Sequence, residues 1–185
     1  MLQKVKMKKE EKIKSLLAQL QSDDEEKVQL AFDEIAQTGN QADLVHLFDF
    51  LKRNPDSYAS SKIYQLLGEL KQPESVSFLI EAIQYPDNVA IQSQLIGCCW
   101  QNGLDYSAYL PFFCQLVIER DFEVAFEAFT VVENMYGKIA PEVEQSTMEK
   151  ISAALENGNE QKVYLLRGLL EIIPNIPEAQ EIYEP

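Results

Sequence analysis

From residue 11 to residue 173, apolar side chains recur three and four positions apart, in short blocks closed by Gly, Pro or Asn. A strand would alternate every second residue; this spacing instead keeps one stripe of a helix apolar, and it predicts about ten amphipathic helices. Ile13, Leu16, Leu17 and Leu20 mark Glu11–Leu20, and Val28, Ala31, Phe32 and Ile35 mark Asp24–Gln37, capped by Ser22 and Asp23 and ended by Gly39. Gln41–Arg53 presents Leu44, Leu47, Phe48 and Leu51, and Asn54-Pro55-Asp56 breaks it; Ser57–Leu70 turns Ala59, Ile63, Leu66, Leu67 and Leu70 inward.

Pro73 opens the fifth helix, harmless in a first turn, and Val76, Leu79, Ile80 and Ile83 follow before Tyr85-Pro86 stops it. Asp87 and Asn88 start the sixth, which carries Ile91, Leu95, Ile96, Cys98 and Cys99 and ends at Asn102-Gly103. Asp105–Glu119 contains Pro111, which predicts a kink or a split before it. Asp121–Tyr136 stops at Gly137. Its apolar residues, Phe122 and Phe126 among them, occupy most of the circumference and leave Glu123, Glu127, Thr130, Glu133 and Asn134 as a polar strip, so this helix is expected to be flanked on nearly all sides. Pro141 begins the ninth, with Val143, Met148, Ile151 and Leu155, ending at Asn157-Gly158. Asn159 caps the tenth, with Val163, Leu166, Leu169, Leu170 and Ile173 before Pro174.

These helices recur in pairs. The residues opening each second helix, Asp24, Asp56, Asp87, Asp121 and Asn159, lie 32, 31, 34 and 38 positions apart. The stops, Gly39, Lys71, Gly103, Gly137 and Pro174, lie 32, 32, 34 and 37 apart. Such a period is the signature of stacked helical repeats. The stretch from Leu17 through Ser22, Asp23, Asp24 and Val28 to Ala31, closing on Ile35 to Gly39, resembles a HEAT-like repeat; Asp121–Gly137 and Asn159–Ile173 are looser copies. The basic residue that often follows the Val in that family is Gln29, Ala125 and Tyr164 here, which keeps armadillo-type and irregular helical arrays open. The resemblance implies an all-α fold, an α-solenoid of about five antiparallel helix pairs with a right-handed superhelix.

Composition narrows the function. At 185 residues, with 46% apolar and 25% charged residues, the chain reads as one globular domain over 11–173, with a basic flexible lead-in at 1–10 and a strap or tail at 174–185. Six of the sixteen basic residues fall in the first fourteen positions, and from residue 15 onward ten Lys/Arg face twenty-eight Asp/Glu, a net of −18. A body that negative repels phosphate backbones and anionic headgroups, so neither nucleic acid nor membrane is an expected partner. No apolar run has the length of a signal peptide core or a membrane span, which predicts a cytoplasmic protein.

Catalytic chemistry is not legible. Cys98, Cys99 and Cys114 lack metal-ligand spacing and sit in apolar stretches, where buried reduced thiols are expected. His46, the sole histidine, falls on a polar face with Asp43, Asp49 and Arg53 and no nucleophile beside it. Asp23, Asp24, Glu25 and Glu26 suit a helix N-terminus and lack the EF-hand pattern. No phosphate-binding glycine motif occurs, and no cofactor is expected.

Second helices of such arrays commonly line the concave face, which would place Gln29 and Asp33, Ser61 and Gln65, Gln94 and Gln101, Glu123, Glu127 and Asn134, then Tyr164 and Arg167 in successive rows. The expected activity is non-enzymatic: an adaptor taking a protein or peptide, basic in character, on this acidic face, the chain itself a monomer or weak homodimer. The alternatives are an immunity-type inhibitor of a basic partner and, through the family resemblance, a bilin-lyase-type enzyme.

Overall fold

The computed structural model describes residues 41–55, 57–156 and 160–179, with side chains from Leu47 onward, and before them residues 11, 12, 14–20, 22, 24, 26, 27, 30, 31 and 34. The lead-in 1–10, Asp23, Gln29, Asp33, Gly39, Asp56, Asn157-Gly158-Asn159, the end of the tail and the side chains of Asp43 and His46 lie outside the described residues.

All regular structure among the described residues is helical. Helical residues at 11–12 and 14–19 bring Leu16 and Leu20 into the core. Eight longer helices follow: α1 (Gln41–Arg53), α2 (Tyr58–Gly68), α3 (Ser75–Gln84), α4 (Gln92–Asn102), α5 (Leu110–Glu119), α6 (Phe122–Glu133), α7 (Pro141–Glu156) and α8 (Val163–Ile172).

Local chemistry explains most boundaries. The Ser57 hydroxyl accepts the Ser60 N–H at 3.1 Å and the Asp121 carboxylate accepts the Val124 N–H at 3.1 Å, capping α2 and α6. Gly103, at φ 62°, closes α4 in the left-handed conformation. The split expected before Pro111 is real, since a 3-10 turn at Ser107–Tyr109 precedes α5 and Pro111 sits in the first turn of the helix. Other expectations need correction. Pro73 lies in a turn ahead of α3 rather than in its first helical turn, because the N–H groups of Ser75 and Val76 bond back to Gln72 and Pro73. Asp87 and Asn88 start a 3-10 segment, Pro86–Ile91, and α4 begins only at Gln92. There the Asn88 amide donates to the Ala82 carbonyl and the Gln92 amide to that of Ile83, both at 2.8 Å, satisfying the end of α3 from the next helix. α6 ends at Glu133, three residues before Tyr136.

Consecutive helices pair, α1 with α2, α3 with α4, α5 with α6 and α7 with α8. The second members also touch in series, α2 to α4, α4 to α6 and α6 to α8; among the first members, α1 meets α3 and α5 meets α7. One apolar core runs through both layers, from Leu47 and Leu51 through Leu79, Leu95, Phe113 and Val132 to Leu169.

Three polar contacts between neighbouring pairs span 31 to 34 residues. Lys71 Nζ donates to the Asn102 carbonyl, 31 residues on, at 2.8 Å, and the Tyr136 hydroxyl donates to the Gly103 carbonyl, 33 residues back, at 3.2 Å. The Cys98 thiol donates to the Tyr64 carbonyl, 34 residues back, at 3.5 Å. The turns pack equally closely: a Cβ on Gly137, which has φ 122°, would lie 2.5 Å from Asp105 Oδ1 and from Ser107 Oγ. The Gly137 N–H in turn donates at 2.9 Å to the carbonyl of Pro177, fastening the segment after α8 across that turn.

Candidate functional site

α2, α4, α6 and α8 stand side by side, and what fills the seams between them decides what their outer face can do. On α4, Ser93, Gly97 and Gln101 follow at helical spacing and form one line along the helix. That line meets the acidic line of α6. The Ser93 hydroxyl donates to Glu123 Oε1 at 2.8 Å, and the Trp100 indole N–H donates to Glu127 Oε2 at 3.0 Å. Gly97 makes room for the second carboxylate, because a Cβ there would stand 3.2 Å from Glu127 Oε2. The same device recurs one seam back, where a Cβ on Gly68 would lie 2.6 Å from Gln101 Oε1.

Glu123 and Glu127 are therefore oriented by neutral donors. Among the described residues neither enters an ion pair; the three pairs present are Lys12 with Glu34, Lys27 with Asp24 and Lys52 with Asp49. A carboxylate held by one neutral hydrogen bond keeps its charge and spare lone pairs for an incoming donor.

The structure brings Gln101, Glu123 and Glu127 together and spreads the other expected residues around them. Gln65 on α2 donates to Glu69 Oε1 at 2.9 Å. Gln94 is exposed, its Oε1 3.1 Å from the Ser93 hydroxyl, where it competes with the nearer Glu123 for that group's one proton. Asn134 sits just past α6, its amide donating to the Thr130 carbonyl at 2.9 Å. Tyr164, 81% exposed, and Arg167, also exposed, lie on α8.

One expectation is overturned. α6 is not flanked on nearly all sides: Phe122 is 50% and Phe126 49% exposed, their rings stacked with centroids 6.2 Å apart. Val124, Ala125, Ala128, Phe129, Val131 and Val132 alone supply its buried side. An apolar residue count cannot separate the two groups, since both are hydrophobic and only the neighbours of α6 choose between them. Ser93, Gly97 and Trp100 were also missed as site residues. The small and polar residues recurring at 93, 97 and 101 were the available signal.

Compared with known proteins, the sequence matches no family model and no curated protein.

The remaining candidates have structural roles. All three cysteines are free and buried, and burial holds the Cys99 and Cys114 thiols up at about 12 and raises Cys98 as well. Asp24 caps a helix start, accepting the N–H groups of Glu26 and Lys27; its hydrogen bond to the Lys27 side chain, first among the causes, lowers its carboxyl below the ordinary value. No cluster of three or more metal-type side chains occurs among the described residues, and none of their helices is long and apolar enough to cross a membrane.

Proposed function

We propose that this chain is an α-solenoid of HEAT-like helix pairs that acts without catalysis, binding a basic segment of another protein on the face made by α2, α4, α6 and α8. The observation that carries this reading is the orientation of Glu123 and Glu127 by Ser93 and Trp100, with no cation paired to either among the described residues. Fixed acceptors of this kind meet Lys or Arg without first breaking an internal ion pair, and their side-chain entropy is already spent. The net charge of −14 adds long-range attraction for a basic partner. The serial packing of the second helices supports a continuous binding face, because each pair extends the surface of the one before.

Charge reversal tests the reading. A fluorescent peptide of alternating Lys and Ser should bind the protein with an affinity that falls as salt rises, and the double variant Glu123→Lys, Glu127→Lys should weaken it about tenfold or more. Equal binding by the variant would remove this face from consideration.

A further inference from the structure

The acidic line of α6 faces α4, and its aromatic line lies toward α8. Phe129 fixes that side: a Cβ on Gly168 of α8 would lie 2.8 Å from Phe129 Cε2, so the α6–α8 seam passes between Gly168 and Phe129. Phe122 and Phe126 sit on the same side of α6 as Phe129, seven and three residues earlier, where the helix turns out to solvent. Tyr164 stands one turn before Gly168 on the matching line of α8. The missing side chain at position 168 lets the helices approach; Phe122 and Phe126 stack on the α6 side of the seam, and Tyr164 is exposed on the α8 side.

We infer that this seam is the apolar half of the binding face, and that the segment it takes is an amphipathic basic helix. That partner would lay one or two large apolar side chains against Phe122, Phe126 and Tyr164 and direct its lysines or arginines toward Glu123 and Glu127. The inference rests on the binding face proposed above and adds what anchors the partner there. Charge complementarity selects the occupant. Phe122 and Phe126 each lie one position from a carboxylate that enters no ion pair among the described residues, so a wholly apolar ligand would have to desolvate those charges and an acidic one would be repelled. Exposed aromatic side chains beside unpaired charges also combine the two features that anchor interfaces, a large rigid apolar contact and directed electrostatics.

Two labelled peptides of about four helical turns distinguish the inference from the broader reading. One carries leucines at helical spacing on a lysine background; the other replaces each leucine with serine at unchanged charge. Fluorescence anisotropy should show the leucine peptide binding about tenfold or more tightly than the serine peptide. Phe126→Ala and Tyr164→Ala should each remove most of that advantage; because both side chains are exposed, the variants should keep the wild-type circular dichroism spectrum. Equal binding of the two peptides, weakened alike by the Glu123→Lys, Glu127→Lys double variant, would overturn the aromatic anchor and leave the acidic face standing. Aromatic-sensitive binding untouched by charge reversal would overturn the acidic face and the basic occupant together. Binding of neither peptide would also overturn both. Self-association in light scattering that disappears in Phe126→Ala would assign the seam to a second copy, and Phe126-dependent adsorption to phosphatidylcholine vesicles would assign it to lipid; either result would overturn the inference.

Discussion

Cys99 is fully buried beside Tyr106, and Cys98 and Cys114 are nearly so. A thiolate in such surroundings has lost its water, and burial therefore raises all three thiols above their ordinary value of 9.0. Burial raises Tyr106 as well. Groups raised in the folded state keep protons that the unfolded chain releases, so their contribution to stability is fully present below pH 9.0 and is lost progressively above it. Tyr136 is raised chiefly by burial too, and Lys162, lowered chiefly by burial, works in the opposite sense as one group against five. The urea midpoint should accordingly be level from about pH 7 to about pH 9 and fall beyond. Thiol reagents at about pH 8 should label the native protein only as fast as it opens, with all three sites reacting at once in denaturant.

At the scale of elements, one lysine joins three helices. Lys162 precedes α8, and its ammonium donates to the carbonyls of Ile118 at 2.6 Å and Arg120 at 2.8 Å, closing the C-terminal end of α5 just ahead of α6. Lys162→Met keeps the packing stem and leaves those carbonyls without their donor. It should lower the unfolding free energy by about 2 kcal/mol, read from denaturant curves. A bond of this kind was not legible in the sequence, because it spans more than forty positions and depends on how α8 settles on α5. The breaks that were legible share a local cause: Pro111 cannot donate inside a helix, Asp121 caps from its own side chain, and Gly103 and Gly137 take φ values other residues avoid. The 3-10 segment at Pro86–Ile91 escaped because Asn88 and Gln92 select it by bonding to α3.

For the molecule as a whole, turn residues set a spacing of 31 to 38 residues, and three bonds between neighbouring pairs span 31 to 34, joining Lys71 to Asn102, Gly103 to Tyr136 and Tyr64 to Cys98. The acidic residues of the candidate face were legible for the same reason, since Glu123 and Glu127 recur at helical spacing. Their partners Ser93 and Trp100, and the outward turn of Phe122 and Phe126, were not, because only adjoining helices decide which side of α4 and α6 meets solvent. Trp100 now supplies the reporter. It is the sole tryptophan, 38% exposed, and its indole N–H rests on Glu127. In a nitrogen–proton correlation spectrum it gives one isolated indole signal. If a basic segment binds this face, adding the leucine–lysine peptide should move that signal saturably, while amides on the exposed side of α7, such as Ser146 and Ser152, stay in place. An indole signal that stays fixed while the peptide binds elsewhere, or a spectrum that does not change at all, would contradict the account.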